Sequence, residues 1–371
     1  YILYFDIFSI FWYHYIDLIN KFIMSRIKII MRATIKDVAK VAGVSPATVS
    51  FVLNNKPVSI SKNTREKVWN AVEQLQYRPN QLAVSLVTQM TNTVGLILPD
   101  STNPFFASLS HYIEDLLREK NISVIIGNTN GNPNTTRKYL QLFSDKRVDG
   151  IILAQLDFEN ENETIACQNL MAQMDIPIVY VDRITNDFNH HSVIEVDQIQ
   201  IGYLATKHLL NLGHQRIGCV SGSIGLKVNK QRYEGYKKAL AEHGLSPNPN
   251  FLYCDSLSIE CGSKALPYLL GQNVSAIFAF NDMIAYGIYK ECRNYNLSIP
   301  DDLSIVGVDD IPFSEILTPP LTTISQPIVQ IANSSVSALL SMISHSNSKN
   351  NYICLQPILK VRASTTAFNH T

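Results

Sequence analysis

The sequence predicts two fold classes in one chain: an N-terminal all-α helix-turn-helix domain, then an α/β core of two doubly wound parallel-sheet lobes. Three observations carry this expectation. Between residues 34 and 75, helical patterns are separated by a glycine and by residues suited to cap the next helix. From residue 93 onward, short apolar runs alternate with helical segments, the pattern of parallel strands joined by crossover helices. Charge is divided along the same line. The 371 residues carry 31 basic and 31 acidic side chains, yet residues 32–90 hold eight basic against three acidic and residues 91–371 hold 20 against 26. A basic module of net +5 on a body of net −6 points to a nucleic-acid reader joined to something else. The expected boundaries are 31–77 for the basic helical module, 78–91 for a linker, and 92–371 for the two-lobed body.

Residues 1–30 are dense in Tyr, Phe and Ile but are interrupted by Asp6, Asp17, Lys21, Arg26 and Lys28. No uncharged run reaches the length of a membrane span, and no basic start with a small-residue cleavage site marks a signal peptide. The segment reads as a spurious N-terminal extension, with Met24 and Met31 as alternative starts. A hydrophobic arm or anchor is the other reading. The six cysteines form no CxxC pair, so they are expected to be reduced, mostly buried thiols of a cytoplasmic protein, without metal.

In the reader, Thr34 and Asp37 have the spacing of a capping box, and Ile35, Val38, Ala39 and Ala42 follow at helical spacing. Gly43 breaks that helix. Ser45 can cap the next one, with Pro46 in its first turn. Val49, Val52 and Leu53 then face inward, and Pro46, Ala47, Ser50, Phe51 and Asn54 face outward. A third helix starting near Ser61 buries Val68, Ala71, Val72 and Leu75. This is helix-turn-helix geometry.

The residues from Thr34 to Ser45, with Ala47, Thr48, Val49 and Ser50, resemble the start of lactose-repressor (LacI/GalR) family transcription regulators. Tyr77-Arg78-Pro79-Asn80, then Ala83-Val84-Ser85-Leu86, is similar to that family's hinge, and the likeness runs to Arg362-Ala363-Ser364-Thr365-Thr366. The resemblance implies that Thr34, Ser45, Pro46, Ala47, Thr48, Ser50, Phe51 and Asn54 meet DNA with the second helix in the major groove. It also implies hinge contacts from Tyr77, Asn80 and Ala83, and a Leu86 wedge in the minor groove, where an apolar side chain unstacks a base step. Two positions depart from the family pattern. Phe51 stands where Arg or His is common, and its natural partner is a thymine methyl, not a guanine edge. Val84 stands where many members carry Arg, which removes one phosphate contact.

Beyond residue 93, strands are expected at 94–98, 122–127, 150–154, 177–181, 217–221, 276–280 and 303–308. Helices are expected at 105–120, 134–147, 163–174, 201–212, 232–242 and 283–295. Ligands in such sheets sit beyond the carboxyl ends of the strands, and polar residues gather there. Asn103, Phe105 and Phe106 follow the first strand, Asp182 and Arg183 the fourth, Asn281 and Asp309 two later ones, and Arg232 opens a helix. Each also has a plain reading, as a helix cap, a turn or a surface ion pair. With Gln326, the set is similar to the sugar-contacting pattern of ribose-type periplasmic binding proteins and sugar-responsive repressors. The body is therefore expected to be periplasmic-binding-protein-like. Leu257 stands near the position where an aromatic wall is common in those proteins, which weakens the match to a sugar.

No P-loop, GxGxxG, GxSxG or HExxH is present, so no catalytic residues and no cofactor are expected. The adjacent His190 and His191 read as solvated. A transport receptor would share the lobes but not the reader. The function expected is that of a homodimeric repressor bound to a palindromic operator and switched by a small-molecule effector, a sugar. The alternative is the same regulator controlled by a non-sugar metabolite or a phosphorylated protein co-regulator. No leucine-heptad tail follows Arg362, so a coiled-coil tetramer is not expected.

Overall fold

The computed structural model describes residues 33–54, 57–79, 84–85, 88–154, 156–182, 192–344 and 352–368. The expectations for Asn80, Ala83, Leu86 and Arg183, and for His190 and His191, lie outside these residues. The chain forms two compact units that divide between Met90 and Thr91.

The first unit holds α1 (Ile35–Ala42), α2 (Pro46–Leu53) and α3 (Lys62–Gln74). The Asp37 carboxylate accepts from the Thr34 backbone N–H at 2.8 Å and from its hydroxyl at 2.7 Å. These hydrogen bonds hold the Asp37 carboxyl below the usual range. Gly43 ends α1 at φ 68°, and its N–H returns to the Ala39 carbonyl. A side chain at that φ would be strained, which is why glycine makes the turn. Val38, Ala39, Val49, Val52, Val68 and Ala71 form the small core.

The second unit contains two six-stranded sheets. The first lobe is built from β1 (Thr93–Leu98), α4 (Pro104–Arg118), β2 (Ser123–Asn128), α5 (Pro133–Lys146), β3 (Gly150–Ala154), α6 (Glu161–Ala172), β4 (Ile178–Val181) and β5 (Ser192–Val196). The chain then enters the second lobe through α7 (Gln198–Asn211), β6 (Ile217–Gly222), α8 (Lys227–Glu242), β7 (Leu252–Asp255), α9 (Ile259–Leu270), β8 (Ala276–Ala279), α10 (Asp282–Asn294), β9 (Ser304–Asp309), α11 (Phe313–Ile316) and β10 (Thr322–Ser325). Helix α12 (Ile328–Ile343) returns to the first lobe and packs on α4, β3, β4 and β5. Finally β11 (Tyr352–Leu355) joins the first sheet beside β5, and β12 (Ile358–Lys360) joins the second beside β10.

The sheet orders are β11-β5-β4-β3-β1-β2 and β12-β10-β9-β8-β6-β7. Both lobes therefore repeat one winding, in which the chain reverses direction across the sheet beside its first strand. That reversal opens a crevice at the carboxyl ends of β1 and β3, and of β6 and β8. Both sheets are parallel as expected except at one edge, where β12 runs antiparallel to β10. As a final edge strand it needs no crossover helix.

Central strands are continuous apolar runs because helices cover both faces. Val94, Leu96, Ile97 and Leu98 are all buried. Helices α7 and α8 cross at backbone contact through Gly202 and Gly235. A Cβ on Gly202 would lie 1.9 Å from the Arg232 carbonyl oxygen, and one on Gly235 would lie 2.0 Å from that of Ile199. This close crossing brings the start of α7 to the middle of the first half of α8. Among the described residues, no helix is long and apolar enough to cross a membrane, and no cluster of His, Cys, Asp and Glu is arranged to hold a metal.

Candidate DNA-reading helix and effector cleft

In α2 the Ser45 hydroxyl accepts from the Thr48 N–H at 3.1 Å and pairs with the Thr48 hydroxyl at 2.9 Å. Pro46 occupies the first helical position, where a missing N–H costs nothing. Ser45, Pro46, Ala47 and Asn54 are exposed, while Thr48, Ser50 and Phe51 are half-buried. Asn54 folds back, donating from Nδ2 to the Ser50 carbonyl at 2.9 Å. No residue from 45 to 54 is charged, so the unit's basic groups stand on the flanking elements. Tyr77 packs against the core of this unit, and its burial raises the phenol pKa.

The second unit gathers its expected site residues at strand ends. Asp182 follows β4 in the left-handed region, at φ 68°. Its Oδ1 accepts from Gln198 Nε2 at 2.7 Å. Gln198 Oε1 accepts from Arg232 Nε at 2.8 Å, and Arg232 Nη1 donates to the Phe280 carbonyl. One relay thus links the first lobe, the crossover at the start of α7, and both α8 and the end of β8 in the second lobe. A second relay is shorter. Asp309 ends β9 at φ 111°, and its Oδ1 accepts from Gln326 Nε2 at 2.7 Å. Gln326 lies on the crossover between β10 and α12.

Electrostatics follow from burial. Arg232 is 4% exposed. Burial lowers its pKa, and the charges of Asp309, Asp182 and Asp282 draw it back up. Burial pushes Asp309 up to about 7 against the pull of Arg232 and pushes Asp282 up to about 6. Asp282 clamps three elements: its oxygens accept from the Ile311 N–H at 3.0 Å, the Ser314 hydroxyl at 2.6 Å and the Thr323 hydroxyl at 2.6 Å. Ser221 Oγ, Asn229 Oδ1 and Gln326 Oε1 are buried without a hydrogen-bond partner.

The remaining expected residues have structural work of their own. Asn103 caps α4, its Oδ1 accepting from the Phe105 N–H at 3.0 Å. Phe105 and Phe106 are buried in the first lobe's core, edge to face with centroids 5.2 Å apart. Asn281 caps α10 through Oδ1 and donates from Nδ2 to the Leu257 carbonyl at 3.1 Å. One placement is corrected. Arg232 does not open its helix, since α8 begins at Lys227 and Arg232 lies in the second turn. Gln198 and Asp282 were not anticipated. Asp282 had a signal, a carboxylate two residues past the expected strand end. Gln198 had none, because its role depends on the crossing of α7 and α8.

Residues 34–80 match the model of bacterial regulatory proteins of the lacI family, and residues 206–365 match a periplasmic binding protein-like domain. The HTH-type transcriptional repressor PurR of Aliivibrio salmonicida (strain LFI1238) is 35% identical over 334 residues, covering 90% of this chain and 98% of that protein. The HTH-type transcriptional regulator DegA of Bacillus subtilis (strain 168) is 36% identical over 341 residues, covering 91% and 100%. Among solved structures, the lac repressor dimer bound to operator and the anti-inducer ONPF is similar with a TM-score of 0.80 at 26% identity, over 91% of this chain and 100% of that one. A complex of the transcriptional regulator CelR with cellobiose gives 0.68 at 26% identity, over 90% and 100%. Matched over nine-tenths of its length by such regulators, the chain belongs to the LacI family of bacterial regulatory proteins, DNA-binding transcriptional repressors and not enzymes.

Proposed function

We propose that the chain is a homodimer that binds a palindromic operator and that a sugar held between its lobes switches operator affinity. Residues 31–77 form the reader, 78–91 the hinge and linker, and 92–371 the effector-binding and dimerisation body. The reader places α2 in the major groove, with Thr34, Ser45, Thr48, Ser50 and Asn54 on backbone and base edges and Pro46, Ala47 and Phe51 on thymine methyls. Tyr77, Asn80 and Ala83 position the hinge, and Leu86 wedges the minor groove. Two readers related by a two-fold axis match two half-sites.

The observation that carries the effector reading is the pair of carboxylates, the buried Asp182 and the half-buried Asp309, gathered around Arg232 by glutamines on two crossovers. Burying charge costs several kcal/mol per ion unless hydrogen bonds satisfy it. Sugar hydroxyls donate to carboxylates and accept from a guanidinium at once, and the unpartnered Gln326 Oε1 accepts one more. Asn103, Phe105, Phe106, Arg183 and Asn281 complete the proposed contacts. A second reading, a non-sugar metabolite, is favoured by the aliphatic Leu257, which lies against Gly222 at the end of β6.

Effector binding changes lobe closure, hence the approach of the two hinges and the stability of the Leu86 pair. Coupling energies of about 1–3 kcal/mol would change operator binding roughly 5- to 150-fold, and operator would change effector affinity by the same factor. A thermal-shift screen of sugars and nucleobases tests the site, since a ligand at about 100 times its Kd adds about 2.7 kcal/mol. Operator titrations with each stabilising compound then test the switch. Unchanged operator affinity with every bound ligand overturns it.

A further inference from the structure

Helix α8 starts against the local rules. Its N-cap is Leu226, which offers no side-chain acceptor, and its first turn has no acidic residue. Lys227 and Lys230 put cations at the positive end of the helix dipole. By contrast, α2 to α7, α9 and α10 each begin at a Ser, Asn or Asp whose side chain accepts a backbone N–H.

The missing acceptor comes from the other lobe. The Lys227 backbone N–H donates to Asp157 Oδ2, 70 residues upstream, on the loop that follows β3 at the first lobe's sheet reversal. Glu159 of the same loop lies against Gly225, its Cγ 3.6 Å from where a Cβ would stand. Burial raises the pKa of Glu195, on β5 of the first lobe, and the nearby Lys227 charge opposes that rise. An acidic lip on one lobe therefore faces, on the other, a cationic helix start whose own N-cap residue offers no side-chain acceptor. That helix carries Arg232 in its next turn.

We propose that Asp157 is a trans-lobe N-cap for α8 and acts as a positioning residue for the cleft. When the lobes are apposed, Asp157 fixes the first turn of α8 and with it Arg232. When they part, the turn loses its cap and keeps its lysines. Local order in α8 is thereby tied to closure before any effector arrives. The consequence for regulation rests on the effector reading above; the latch itself does not.

The test uses the full chain without effector, so its outcome is independent of what the effector is. Cys354 in the first lobe and Cys254 in the second are exposed, while the other four cysteines are buried. Nitroxide labels on these two, in labelled protein diluted with unlabelled, report lobe separation by pulsed electron resonance. Hydrogen exchange reports the amides of residues 227–229. Asp157→Ala is expected to lengthen the inter-lobe distance and to speed exchange about two- to thirtyfold, the range for a lost cap. Asp157→Asn, which keeps an acceptor but not the charge, falls between. Adding Leu226→Ser gives α8 its own cap, so exchange slows again while the longer distance persists. An unchanged distance in Asp157→Ala overturns the proposal. So does recovery of both readouts by Leu226→Ser, which would make the contact an ordinary cap with no hold on closure.

Discussion

The DNA reader and the effector cleft solve opposite problems. Apart from Thr34, which caps α1, the reader lays its candidate residues along one eight-residue helix and its caps, half-buried to exposed, with no charge among residues 45–54. The cleft draws Asp182, Arg232, Asp309 and Gln326 from distant strands and crossovers, buries Asp182, Arg232 and Gln326, leaves Asp309 half-buried, and joins them by two glutamine relays. In the reader a side chain is placed by its own helix. In the cleft it is placed by two lobes and the crossing of α7 and α8. Substitutions in the cleft should therefore disturb fold and function together, and those in the reader should separate them.

The largest expected effect is in the cleft. Arg232→Met leaves buried carboxylates without their cation, a change that costs about 3–5 kcal/mol. For a body of this size that lowers Tm by about 10 °C, and calorimetry at pH 8 reads it. The loss should shrink at pH 5, where Asp309 is neutral. If Arg232→Met leaves Tm and ligand shifts unchanged while α2 substitutions unfold the protein, the comparison fails. A milder test uses pH alone. Burial raises Asp309 to about 7 and Asp282 to about 6, from an ordinary 3.8. The folded state thus holds these protons longer than the unfolded one. Their contribution to stability is fully present below about pH 4 and is lost as pH rises through 6 and 7. Asp309→Asn should flatten the decline in Tm between pH 5 and 8. An unaltered slope would place that decline elsewhere.

The same contrast explains what was legible. The reader was read nearly element for element, because Thr34, Gly43, Ser45 and Ser61 mark their helix ends by local chemistry. The central strands were readable as apolar runs. The edges were not: β7, β11 and β12 are short and partly exposed, and β5 went unassigned. Helix α9 holds an internal Pro267, and α12 is diluted by serines. In the cleft, Asp182, Asn281 and Asp309 were visible because they follow strands. Arg232 was expected at a helix start, whereas α8 begins five residues earlier, at Lys227, with the cap supplied from Asp157. Tertiary contacts decided each of these cases, and a single chain segment does not display them.

Smaller effects separate binding from folding in the reader. Phe51→Ala removes the proposed contact to one base pair, and losing one specified base pair typically costs about 1–3 kcal/mol, so operator affinity should fall roughly 5- to 150-fold with little change in Tm. Sites selected from random DNA should show a thymine opposite Phe51. An invariant guanine there would sink the methyl reading. Asn at this position would instead favour adenine, whose N6 and N7 it can bridge.

The smallest effect is the most discriminating. Ser45 is both the cap of α2 and a proposed DNA contact. Ser45→Ala deletes the acceptor for the Thr48 N–H and should cost about 0.5–2 kcal/mol in the stability of the reader. Ser45→Asp keeps a cap and adds a negative charge, which favours the helix start but opposes phosphate. If Ser45 serves only the fold, Ser45→Asp should bind operator as well as the parent at any salt. If it also faces the duplex, Ser45→Asp should be at least as stable as the parent yet bind operator more weakly, most so at low salt, where charge repulsion is least screened. Thermal melts and salt-dependent titrations of the two variants distinguish these roles, which share one hydroxyl in the parent chain.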